Sequence, residues 1–175
     1  EAGTQRNGTL DSTALLDLRL GSVIDLSVAA KTPDSADFGK FTGTLHLRAP
    51  RNEANEDIQA AAIGSAINGA SSIMVEGVKL YGLTGTGSIT EDLKTKIRNE
   101  SGAIYGYSGD TSSFYTAMED RLTSINPGLD LILAPGVEIY NLDGNVSLGT
   151  VGSSPERDWN LASSRFGSKG APGIL

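Results

Sequence analysis

The sequence predicts an all-β chain of short strands interrupted by one helical pair. Three observations lead there. Apolar and polar residues alternate with a period of two in segment after segment, the mark of half-buried strands. Glycine stands just before several of those segments, where a turn needs it. One stretch, from about Leu83 to Gly128, drops the alternation for a helical period. Pattern alone leaves a solenoid and a sandwich or barrel equally open.

Taken in order, Leu16, Leu18 and Leu20 alternate with Asp17 and Arg19, and after Gly21 the inward set becomes Ile24, Leu26 and Val28. Leu45, Leu47 and Ala49 alternate with His46 and Arg48. From Ser71 to Tyr81, Ile73 and Val75 face inward first. The phase then changes at Gly77, so that Val78 and Leu80 take over, which reads as a bulge or corner. Val137 and Ile139, Val146 and Leu148, and Trp159 and Leu161 supply the later strands. Gly8, Gly21, Gly43, Gly136 and Gly144 each precede a strand, and the spacing from Gly21 to Gly43 is of the kind that marks stacked repeats.

The helical stretch has its own punctuation. Gly82 to Gly87 is a loop. Thr90 can cap a helix over Ser88 to Asn99, with Glu91 and Asp92 in the first turn and Lys94, Lys96 and Arg98 after them, as the helix dipole prefers. A second loop, Ser101 to Gly109, carries Tyr105 and Tyr107. Asp110 to Ile125 reads as a second helix whose apolar stripe is Phe114, Met118, Leu122 and Ile125, stopped by Asn126-Pro127-Gly128. The division expected is strand coils over 1–82, a helical insertion over 83–128, and strand coils over 129–175 that continue beyond the chain end.

Composition removes several functions. The chain has 175 residues, 22 of them Gly, one His and no Cys, and a net charge of -7. Without Cys there is no thiol nucleophile, zinc ribbon or iron–sulfur cluster. A lone His removes two-His metal motifs. An acidic chain lacks the Lys and Arg excess that drives nucleic-acid binding, so no nucleic-acid partner is expected. Apolar runs fall far short of the roughly 20 residues that span a bilayer, so no membrane span is expected.

Leu133-Ala134-Pro135-Gly136-Val137-Glu138-Ile139, followed by the Gly-rich Asp143 to Leu148, resembles a segment of the filamentous haemagglutinin family of large secreted exoproteins. Asp158-Trp159-Asn160-Leu161, Arg165-Phe166-Gly167 and Pro172-Gly173-Ile174-Leu175 follow in that family's order, and Gly43 to Arg51 resembles it upstream. The resemblance implies a right-handed parallel β-helix, a solenoid carrying the two-helix insertion, as the shaft of an adhesin-like protein; open strand edges at the ends of such a shaft make a self-assembling extracellular filament subunit an alternative. It also implies export through an outer-membrane transporter (two-partner secretion), a location at the bacterial cell surface, and partners that are neighbouring coils, stacked copies, or a host or cell-surface protein or glycan.

The chemistry-bearing residues give two readings. Asp17, Asp25, Glu76 and Glu138 point outward and are the pool from which a polysaccharide-active enzyme would draw paired carboxylates; a solvated acidic surface is the alternative. His46 sits outward with no second His to complete a pair. No catalytic residue, metal ligand or cofactor is assigned. The aromatic residues of the insertion offer contact area at low entropy cost, and Tyr105, Tyr107 and Tyr115 are the candidate partner-binding side chains.

Overall fold

The computed structural model describes residues 2–3, 11–27, 43–54, 56–84, 87–105 and 113–147; of 102–105 and 113–116 it describes the backbone alone. Their elements run β1 (Val23–Asp25), β2 (Gly43–Pro50), β3 (Ala66–Asn68), β4 (Ala70–Gly82), α1 (Glu91–Tyr105), α2 (Ser113–Thr123) and β5 (Leu131–Tyr140). β1 pairs with β3, and β2, β4 and β5 form a second sheet in that order, all parallel.

The predicted β-helix is not what forms. The described residues make a small α/β arrangement of two separate parallel sheets, and neither sheet closes or continues as a solenoid. The reason lies in the inward residues. A solenoid stacks strand on strand around its own column, whereas here the inward face of the larger sheet is covered by helices. Leu47, Ala49, Ile73, Val75, Leu131 and Leu133 from the strands share one core with Met118 and Leu122 of α2 and with Ile58, Ala60 and Ile63 from the loop before β3. Parallel strands need long crossovers, and helices are the usual way to supply them and to bury the sheet face.

The helices form where capping and periodicity place them. Thr90 accepts a hydrogen bond from Leu93 N at 3.2 Å and precedes Glu91 and Asp92, so α1 starts on a side-chain cap. It runs beyond Asn99 to Tyr105, because Ile97 and Ser101 are buried on its inward side. Tertiary packing overrides the Ser101-Gly102 break signal. In α2, Met118 and Leu122 are buried as the stripe predicts, but the helix ends at Thr123 and Ile125 is exposed. Asn126 donates to the carbonyls of Ile63 and Ser65 at 2.8 and 3.0 Å, tying the exit of α2 to the chain before β3.

Further expectations are corrected. Leu16 to Leu20 makes one bridge, Leu16 to Ala60, rather than a strand; Leu16 and Leu18 face the core, but Leu20 lies in a turn and is 78 % exposed. Gly77 is no bulge, since β4 stays in register with β2 and β5 past that point. Val78 is buried because the sheet is covered on both faces there, and Tyr81, not Leu80, is the buried residue that follows. Gly136 precedes no strand; it lies inside β5. Val146 is exposed, and its segment contributes only a bridge from Ser147 to Ser88. That bridge requires Gly87: its φ is +67°, and a Cβ there would fall 1.9 Å from the Asn145 carbonyl oxygen. Gly8, Val28, Leu148, Trp159 and the motifs from Asp158 to Leu175 lie outside the described residues.

Candidate functional site

The outward face of the three-stranded sheet carries a connected set of charges. On β2, His46 and Arg48 alternate with the buried Leu47 and Ala49, so both side chains leave the core. Register sets Arg48 directly beside Glu76 on β4, and Glu138 lies one strand further on β5. Arg48 Nε donates to Glu76 Oε2 at 2.7 Å, and its Nη2 donates to Glu138 Oε1. His46 Nε2 lies 2.7 Å from the same Glu76 Oε2. Arg48 thereby crosses β4 above the row formed by Val78 and Gly136, both buried. Burial pulls the Arg48 guanidinium toward its neutral form, but the bonds to Glu138 and Glu76 outweigh it and hold its pKa above the ordinary value.

Gly136 makes room for this arrangement. A Cβ there would lie 2.7 Å from Glu76 Cγ and 2.8 Å from its Oε1. The Glu76 side chain therefore lies flat across β5 in space that no other residue would leave.

A second polar set joins the opposite face to α1. Arg51, 3 % exposed, donates from Nε to the Gly77 carbonyl at 2.9 Å and from Nη2 to the Gly136 carbonyl at 3.1 Å. It also reaches Glu100 O and Ser101 Oγ of α1, at 3.5 and 3.4 Å. Tyr81 OH donates to Glu100 Oε2 at 2.7 Å, Lys79 Nζ stands 3.1 Å from that oxygen, and the Lys79 ammonium lies over the Tyr81 ring. Burial, and then the bond to Glu100, push the Tyr81 phenol well above its usual pKa. Burial acts to raise the Glu100 pKa, but the bonds from Tyr81 and Lys79 prevail and lower it.

The candidate carboxylates do not converge into one site. Glu76 and Glu138 share Arg48, while Asp17 and Asp25 belong to the other sheet and its approach. Asp17 pairs with Arg19 at 2.7 Å, and Asp25 is held below its usual pKa by hydrogen bonds from Ser27, first its side chain and then its amide at 2.9 Å. A shallow cleft of about 240 Å³ between the starts of β4 and β5 is lined by Ala70, Ser72, Leu129, Asp130 and Ile132, and contains none of these four acids. Among the described residues, no three His, Asp or Glu side chains stand where they would hold a metal ion, and no helix is long and apolar enough to cross a membrane.

Of the tyrosines, Tyr105 is the last residue of α1 and Tyr115 falls within α2; Tyr107 lies outside the described residues. Sequence reading placed His46 outward correctly but missed Arg51 and Glu100. An Arg after a strand-ending Pro, and a Glu late in a helix, carry no local signal of burial or pairing.

No protein-family model matches the chain, and no curated protein or solved structure matches it.

Proposed function

We propose that this chain is a non-enzymatic structural and adhesive segment of a secreted, filamentous haemagglutinin-like exoprotein of the bacterial surface. In this reading an outer-membrane transporter exports it, and it engages a cell-surface protein or glycan. The assignment to that class rests on the resemblance of Gly43 to Arg51 and Leu133 to Ile139, which are the two outer strands of the larger sheet. Recognition is assigned to Tyr105, Tyr107 and Tyr115.

One observation carries the non-catalytic part. Each of the four carboxylates that would serve an enzyme is engaged by a neighbour: Glu76 by Arg48 and His46, Glu138 by Arg48, Asp17 by Arg19, and Asp25 by Ser27. A general acid or base must exchange its proton with substrate. A carboxylate held in charge-assisted bonds over a sheet face clamps strands instead.

The test is retention of the chain on immobilised cell-surface glycans and proteins, together with assay of acidic polysaccharides for released reducing ends or unsaturated products. Retention that is lost when Tyr105, Tyr107 and Tyr115 become Ala, with no product released, supports the reading. Product release that disappears in Glu76→Gln or Glu138→Gln refutes it.

A further inference from the structure

β3 and β4 belong to different sheets, and the chain passes from one to the other through Asn68 and Gly69. Asn68 ends β3 and is exposed, and its side chain has no hydrogen-bond partner among the described residues. Its carbonyl accepts a bond from Leu26 N at 2.8 Å. Gly69 lies between the two strands, and its N–H meets no acceptor among the described residues. The fold requires glycine at this position: φ is +67°, and a Cβ would fall 2.5 Å from Ser27 N. An exposed carboxamide therefore precedes an amide nitrogen that no side chain shields and no hydrogen bond holds.

We propose that Asn68 and Gly69 form a self-modification site, where the asparagine deamidates and thereby loosens β1 from β3. The Gly69 nitrogen gives its proton to hydroxide and bonds to Asn68 Cγ. The Cγ–Nδ2 bond breaks, and the amide group leaves as ammonia, taking a proton from water. The product is a five-membered cyclic imide. Water then opens the imide at one carbonyl or the other and leaves aspartate or isoaspartate. Either product sets a new carboxylate beside Asp25, the register partner of Asn68 on β1. Asp25 is itself held below its usual pKa by Ser27, so both groups are charged at neutral pH. Like charges directly opposite on paired strands are destabilising. Isoaspartate also adds a carbon to the main chain between β3 and β4 and displaces the carbonyl that Leu26 N uses. The site is independent of the adhesive reading.

The experiment incubates the whole folded 175-residue chain in mildly alkaline buffer, digests it at acid pH and maps the peptides by mass spectrometry. Conversion replaces an NH2 group by OH, and that mass gain is expected at Asn68. Asn52 is the internal reference. Its Oδ1 accepts the Glu56 and Asp57 amides at 2.7 and 3.3 Å, and Glu53 follows it, so no gain is expected there over the same period. An Asn68 that stays intact in the folded chain, or that converts only in urea, overturns the proposal. Asn68→Asp carries one product from the start and is expected to lower the thermal midpoint. Adding Asp25→Asn, whose Oδ1 can still accept the Ser27 amide, should recover most of that loss. Asn68→Gln should keep the parent midpoint and show no mass gain at this position. A midpoint indifferent to Asn68→Asp, or a loss that Asp25→Asn does not relieve, overturns the loosening.

Discussion

Arg48 and Glu138 form an ion pair although 90 residues separate them and β4 runs between their strands. The pair ties the two outer strands of the sheet across the middle one, with Glu76 as the intermediate partner. Both faces of the bridge are partly dry: the Arg48 side chain is 23 % exposed and that of Glu76 18 %. Arg48→Met keeps most of the aliphatic stem and removes the charge. It is expected to cost about 1.5 to 3 kcal/mol, the range for hydrogen bonds to charged groups. Urea unfolding at neutral pH measures this.

Gly136→Ala tests the same bridge from underneath. The new methyl group needs the space that Glu76 occupies, so Glu76 must leave Arg48 and His46 or the strands must separate. A loss of about 1 to 3 kcal/mol is expected, as for other overpacked sites. In the double variant with Glu76→Ala the two effects should fall well short of additive, because the methyl then has nothing to displace. Additive losses would separate Gly136 from the ion pair.

Arg51 is predicted to be the most sensitive polar residue of the sheet-to-helix joint. Its guanidinium serves carbonyls on β4, β5 and α1 together. Arg51→Ala removes a buried charged donor shared by β4, β5 and α1 and is expected to cost about 1.5 to 3 kcal/mol, the range for hydrogen bonds to charged groups. Arg51→Lys should recover little, since one ammonium cannot reproduce the planar fork. Urea midpoints compare the two variants with the parent chain.

Acid should loosen the α1 joint through Glu100. Its folded-state pKa is lowered, so the contribution is complete above the ordinary carboxylate pKa and is lost as pH falls through the folded value. The unfolding free energy measured from neutral pH down through the acid range should decline in the parent chain. In Glu100→Gln the decline should be shallower and the stability at neutral pH lower. Parallel curves would mean that Glu100 contributes nothing to the pH dependence.

The sequence showed most of the local structure and little of its assembly. Alternation identified β2 with its inward Leu45, Leu47 and Ala49, because a sheet with one helix-covered face selects every second residue. Capping by Thr90 and the Met118–Leu122 spacing identified both helices for equally local reasons. What failed was non-local. Short parallel strands and glycine turns look alike in a solenoid and in an open sheet, and only the placement of α2 over Val75 and Leu131 distinguishes them. The apparent phase change at Gly77 came from burial on two faces, with Val78 under the Arg48 bridge and Tyr81 under α1. The candidate acids were visible as outward residues, but Arg48 could be matched to Glu138 only once three strands were in register.

The most direct test of the account follows binding and turnover in one sample. The chain is passed over immobilised acidic glycans and cell-surface proteins, and the eluate is assayed for cleaved products. The account predicts retention without products, unchanged by Glu76→Gln and Glu138→Gln variants that still fold. Products released by the parent chain and absent from those variants would contradict it.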